Sequence, residues 1–190
     1  GRAAGENIIE AREKLVIPGF VNAHYHSHDT LLKGSFETLP LEIWMLNALL
    51  PSYPKRSKDE VRARTLLGAA ECIHGGMTTI QDMLTIYPFS EEHLDTVMEA
   101  YEEIGIRVVF SMQIGDVPGL DRVPYWRETV PAEHHEYLGA YVEPFGDAKP
   151  LEVVTGQYRR LHDFCDRVTW ALAPTNPQLC STELLGGLAD

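Results

Sequence analysis

Four short runs rich in apolar and β-branched residues recur along the chain, around residues 15–26, 77–83, 107–113 and 168–173. Each is followed by a connection that contains a helical pattern, and no two-residue hairpin signal joins any pair of them. A chain that alternates strand and helix in this way is constrained to right-handed crossovers and a parallel sheet. Ser57 with Glu60 three residues later reads as a capping box. It predicts a helix over 58–74 that buries Val61, Leu66, Ala69, Ala70 and Ile73 and is closed by the left-handed glycine pair Gly75-Gly76. Ser90 predicts a second helix over 91–104 with Leu94, Val97, Met98, Tyr101 and Ile104 on its buried stripe. A third is expected over 151–165, burying Leu151, Val154, Tyr158, Leu161 and Phe164, and a fourth begins after Ser181. His74 lies in the last turn of its helix, where a cation suits the dipole, and reads as structural rather than metal-binding. His93 reads as solvated, and the adjacent His134 and His135 diverge on a helix and so suit one ion poorly.

The first run carries the chemistry. Leu15-Val16-Ile17-Pro18-Gly19 leads through Phe20-Val21-Asn22-Ala23 to His24-Tyr25-His26. Side chains two apart on a strand share a face, so His24 and His26 are expected to project together from the strand's C-terminal end. Neutral imidazole nitrogens converging there suit a divalent ion such as zinc. Elsewhere, Asp82 closes the second strand and is expected to hydrogen-bond neighbouring loops rather than bind an ion. Gln113 ends the third strand and points to the mouth as a substrate-binding candidate. Trp44 lies in a short amphipathic helix formed by Leu41, Trp44, Met45 and Leu49. It is placed either to shape an apolar slot for an aromatic ring or to pack the loop down. Asn176 offers an amide after the fourth strand.

The run PGFVNAHYH resembles the strand-1 signature of the amidohydrolase superfamily. The branch is the one that holds cytosine, guanine and S-adenosylhomocysteine deaminases and the triazine hydrolases. Leu31-Leu32-Lys33-Gly34 is similar to that branch's Leu-x-Arg-Gly, with lysine in place of arginine, and Gly76 to Asp82 resembles its Gly-x-Thr-Thr-x-x-Asp. The resemblance implies a (β/α)8 barrel of which residues 15–190 are the first four strands. Residues 1–14, with a candidate strand at Asn7–Ala11, would be a remnant of an N-terminal β-sandwich. A barrel of this type has about 250 residues, against 190 here.

The resemblance further implies that His24 and His26 hold one divalent metal, zinc or else iron. Metal-bound hydroxide would then hydrolyse a C–N bond other than a peptide bond, deaminating a purine, pterin, pyrimidine or triazine. The superfamily's third and fourth histidines and its proton-shuttling Glu and Asp belong to later strands, so no catalytic acid or base is assigned within this chain. The fourth strand, VTWALAP, lacks the lysine that bridges two metals in other members, which implies a mononuclear centre. The Pro-His-x-Pro of many relatives reads Pro174-Thr175-Asn176-Pro177 here, so Thr175 stands where a substrate-contacting histidine is expected. This departure speaks against nucleoside-type substrates gripped by that histidine and leaves the Asn176 amide in its place.

Composition bears on partners. The net charge of -12 disfavours nucleic acid and anionic membranes, and no stretch reads as a membrane span. Cys72, Cys165 and Cys180 are odd in number and far apart, so reduced thiols and a cytoplasmic home are expected. A homo-oligomer acting on a small aminoheterocycle is the leading expectation. The alternative is a truncated half-barrel or interaction module, inactive until a missing segment joins it, because half-barrels expose raw sheet edges. A two-metal phosphoesterase, which also uses His-x-His, is disfavoured by the surrounding residues and by the lack of Asp/His clusters downstream.

Overall fold

The structure, a computed structural model, describes residues 9–48, 56–117, 124–139 and 148–190. Its elements in order are β1 (Phe20–Tyr25), a 3-10 turn (Ser27–Leu32), α1 (Leu41–Ala48), α2 (Lys58–His74), β2 (Met77–Leu84) and α3 (Glu91–Ile104). Then follow β3 (Arg107–Ile114), the short helices α4 (Trp126–Thr129) and α5 (His135–Gly139), α6 (Pro150–Leu161), β4 (Val168–Trp170), β5 (Ala173–Pro174) and α7 (Thr182–Ala189). The strands lie in the order β1-β2-β3-β4, all parallel, and β5 pairs with β3 beyond the end of β4. The expected fourth strand is therefore split at Ala171-Leu172, although both pieces stay on the same neighbour. Strands and helices together make a curled half of a (β/α)8 barrel.

The expected opening strand is shorter than its apolar run. Leu15 to Gly19 are not in a strand, and Leu15, Val16 and Ile17 are exposed. The candidate strand at Asn7–Ala11 lies partly outside the described residues, and its described part, Ile9 to Ala11, is not in a strand. Leu49, which the amphipathic reading of α1 needs, also lies outside them.

Alternation along the strands sets two layers. Ile80, Asp82 and Leu84 of β2 and Val108, Phe110, Met112 and Ile114 of β3 are buried against the helices. Thr79, Gln81 and Met83, like Val109 and Gln113, are half-buried on the barrel-interior side. The helix layer is as expected for α3, where Leu94, Val97, Met98 and Tyr101 are wholly buried. His93 proves buried as well rather than solvated, because the α3 face that meets its neighbours includes the first turn.

On α2 the buried face is rotated from the expected one. It runs through Val61, Arg64, Thr65, Gly68, Ala69 and Cys72, whereas Ile73 is exposed. The reason is Gly68, where a Cβ would collide with the Tyr25 hydroxyl and with Thr30 Oγ1. Only glycine lets β1 and the 3-10 turn approach that helix so closely. The Ser57 cap accepts from the Glu60 N–H at 3.1 Å as predicted. At the other end Gly75 keeps φ −76°, and Gly76 alone takes the left-handed conformation at φ +81°.

The third expected helix, α6, stops at Leu161 and exposes Tyr158, and its Arg160 pairs with Asp95 of α3 at 2.6 Å. Gln157 likewise donates to Glu91 at 2.7 Å. No helix among the described residues is long and apolar enough to cross a membrane.

Candidate metal centre

β1 does not run evenly into the site. Its ladder with β2 pairs Asn22 with Ile80 and Tyr25 with Asp82, so three steps on β1 match two on β2. The extra residue is a bulge at the position of Ala23-His24, and bulges re-aim the side chains beside them. Beyond it Tyr25 faces Gly68 of α2, and its hydroxyl meets Thr30 Oγ1 of the 3-10 turn at 3.2 Å. Burial pushes the Tyr25 phenol well above its ordinary range, so it stays protonated.

His24 and His26 take the opposite side. Their Nε2 atoms stand 3.1 Å apart and their rings meet edge to face, with centroids 4.8 Å apart at 89°. The structure thus brings the expected pair together. His26 Nδ1 donates to the carbonyl of Met83 at 2.8 Å. That bond places the proton on Nδ1 and leaves the Nε2 lone pair facing His24.

A ligand fit follows from these distances. Two nitrogens bound to one tetrahedral zinc at about 2.0–2.1 Å each lie about 3.3 Å apart, close to the separation seen here. The second nitrogen of His26 is anchored on a backbone carbonyl, as ligating imidazoles commonly are. Among the described residues no group of three or more His, Cys, Asp or Glu is placed to hold an ion. A hydrolytic zinc site uses three protein ligands, one more than this pair provides.

The residue after the pair is fixed from below. Ser27 gives its N–H to Asp82 Oδ1 at 2.9 Å and its hydroxyl to Oδ2 at 2.7 Å, and Tyr101 donates to Oδ2 at 2.6 Å. Asp82 is fully buried on the helix side of β2, and it anchors the loop as expected. Burial pushes its carboxyl upward, against the lowering by its bonds to Tyr101 and Ser27.

A second row of polar contacts crosses the strand ends. Thr85 gives its N–H to His28 Nδ1 at 3.1 Å and its hydroxyl to Gln113 Oε1 at 2.9 Å. Gln113 Nε2 in turn donates to Thr175 Oγ1 at 2.9 Å, and the Thr175 N–H is held by the Ile114 carbonyl at 2.8 Å. Gln113 therefore lies one residue before the end of β3, with both ends of its amide engaged by protein.

Asn176 is exposed, and its side-chain oxygen caps the turn Pro177–Leu179 by accepting from the Leu179 N–H at 3.1 Å. Trp44 is half-buried on α1, with its N–H held by the Pro40 carbonyl. Sequence reasoning passed over Ser27, His28 and Thr85. His28 carried a signal, since it extends the His24/His26 spacing by two more residues. Its side chain is only 10% exposed, and burial lowers its pKa to about 3, so the ring is neutral.

Known proteins resemble this chain in sequence and in fold. Residues 15–187 match the family described as the amidohydrolase family. A 5'-deoxyadenosine deaminase of Methanothermobacter thermautotrophicus is 30% identical over 193 residues, covering 97% of this chain and 37% of that protein. A 5-methylthioadenosine/S-adenosylhomocysteine deaminase of Acetivibrio thermocellus is 41% identical over 102 residues, covering 54% of this chain and 22% of the relative. Among solved structures, the atrazine chlorohydrolase of Arthrobacter aurescens complexed with zinc superposes with a TM-score of 0.68 at 20% identity, over 90% of this chain and 37% of that one. The chain thus spans little more than a third of the length of such relatives.

Proposed function

The chain belongs to the amidohydrolase family, and we propose that it supplies the first half of the active site of a metal-dependent hydrolase that deaminates an amino-substituted heterocycle. The observation that carries this reading is the meeting of His24 and His26 Nε2 atoms 3.1 Å apart at the C-terminal end of β1. That end of the strands is where barrels of this kind place their chemistry.

In this reading His24 and His26 hold one divalent ion, zinc for preference. When bound, the ion supplies Lewis-acid chemistry that brings water within reach of deprotonation near neutral pH. Met83 keeps the His26 ring in the tautomer that leaves Nε2 available. Ser27, clamped by Asp82, fixes the backbone that follows the pair. Gln113, held by Thr85 and Thr175, and Asn176, held at its oxygen by the Leu179 N–H, each keep an amide N–H for the polar edge of a heterocycle, and Trp44 offers a flat apolar wall. The relatives named for 5'-deoxyadenosine and 5-methylthioadenosine favour a purine nucleoside over a pterin, pyrimidine or triazine. Thr175 in place of a histidine argues that the substrate is gripped differently at that corner. In this reading residues 15–190 are the barrel part, and the described residues before them, 9–14, are not in a strand. A cytoplasmic homo-oligomer is the expected setting.

The test is ammonia release by the intact protein, zinc-loaded and chelator-treated, from 5'-deoxyadenosine, guanine, cytosine and melamine. Zinc-dependent ammonia from at least one of them is expected, and its loss in H24A and H26A. Tight zinc uptake without ammonia from any of them would count against the reading. One observation favours the second reading, an interaction module: Phe20 and Val21 of β1, the outermost strand among the described residues, and Leu15 and Val16 before it are 57–87% exposed. Metal uptake without turnover would support it.

A further inference from the structure

β1 stops pairing with β2 at Tyr25 and Asp82, but β2 continues to Leu84. Past that point the chain of β1 has turned away into the 3-10 turn Ser27–Leu32. The C=O of Met83, in β2, and the N–H of Thr85, just past its end, would then lack strand partners, which backbone groups taken out of water need. Two imidazoles take the place of the backbone. His26 Nδ1 donates to Met83 O at 2.8 Å, and His28 Nδ1 accepts from Thr85 N–H at 3.1 Å. The ladder is thus continued by side chains, one facing each way.

From this we propose that His28 is a positioning residue, which holds the His24/His26 pair in its converging geometry by way of Thr85 and the His26 ring. The inference rests on the metal-centre reading above. His26 is flanked on both sides, by His24 with centroids 4.8 Å apart and by His28 with centroids 5.3 Å apart at 65°. Its third restraint is the Met83 carbonyl. Because His28 Nδ1 accepts a backbone proton, its own proton sits on Nε2, facing Asp29 Oδ1 at 3.4 Å. His28 therefore cannot offer Nδ1 to an ion, and its part is to fix the turn at residues 26–29 and the tilt of its neighbour's ring. Thr85 passes the same restraint onward, since its hydroxyl reaches Gln113 on β3. One residue thereby ties the histidine end of the site to the end that faces the substrate.

The test uses zinc alone, titrated into the intact metal-free protein against a chromogenic chelator. H28A is expected to bind zinc about 10–100-fold more weakly, the usual effect of losing a residue that orients a ligand. H28N returns an acceptor oxygen near the Nδ1 position and is expected to restore most of the affinity. H28F keeps the ring contact without the acceptor and is expected to resemble H28A. A readout that mere loss of stability would not move is the nitrogen spectrum of ¹⁵N-histidine-labelled protein. His26 should be a single Nδ1–H tautomer in wild type and H28N, and a mixture in H28A and H28F. If H28A fails to fold, H28F and H28N decide the matter alone. Equal zinc affinity and an unchanged His26 tautomer in H28F overturn the inference and leave the metal centre intact. Equal affinity in H24A and H26A removes the metal centre, and this inference with it.

Discussion

Ser27 delivers both its backbone N–H and its hydroxyl to the single carboxylate of Asp82, and Ser181 does the same to Asp116, at 2.7 and 2.5 Å. The two clasps are alike in bonding and unlike in burial: Asp82 is wholly buried, whereas Asp116 is exposed. Water can replace the lost acceptor only at the second. D82A is therefore expected to cost about 3 kcal/mol or more, since it strands three donors, whereas D116A should cost about 1 kcal/mol or less. Urea unfolding midpoints of the two variants measure the difference, and equal midpoints would refute the argument from burial.

Gly68 and Tyr25 supply a second case. Adding a methyl at Gly68 forces the Tyr25 hydroxyl out of its contact with Thr30. G68A should destabilise by about 1–3 kcal/mol, as overpacking does. Removing the obstructing oxygen in G68A/Y25F should recover part of that loss. A double-mutant cycle read by thermal unfolding tests the coupling, and strict additivity would show that the two residues do not meet.

Gln113 is engaged by Thr85 at one end and Thr175 at the other, so its replacement separates hydrogen bonding from size. Q113L leaves two half-buried hydroxyls without a partner and should cost about 1–3 kcal/mol. Q113E still accepts from Thr85, and the Thr175 hydroxyl can rotate to donate to its second oxygen. It should fall within about 1 kcal/mol of wild type. Comparison of their denaturant midpoints decides, and Q113L as stable as Q113E would sink the idea.

The cysteines provide a test by pH. Burial raises the thiol pKa of Cys72 and Cys180. A raised pKa leaves less thiolate at any given pH, and the thiolate is the reactive form. At pH 8 the folded protein should be alkylated by iodoacetamide at the half-buried Cys165 first. Cys72 and Cys180 should react only after denaturation. Peptide mass mapping over time reads the order, and early label on Cys72 would contradict it.

The alternation of strand and helix was readable because each element carries a local signal: Ser57 and Ser90 cap the helices they were expected to cap. The His24/His26 pair was readable for a similar reason, two residues at strand spacing. What could not be read is set by contacts distant in sequence. The rotated face of α2 depends on Tyr25 reaching Gly68, 43 positions away, and neither residue announces it. His28 finds Thr85 only because β1 ends before β2 does. The burial of His93 and the pairing of Arg160 with Asp95 likewise follow from how α3 and α6 lie together. The apolar run Leu15–Ile17 looked like strand because composition does not say where pairing begins.

The surplus residue of β1 opposite Ile80 and Asp82 carries a consequence for any insertion or deletion there. Sheet side chains swap sides with every step. A chain shortened by one between Asn22 and Tyr25 would regain an even ladder, yet it would have to turn one imidazole under α2 or swing the tyrosine into the open mouth. Family members that differ in length at this point should therefore either lack the paired imidazoles or compensate within a residue or two. Length there is a coded quantity, as much as residue identity is.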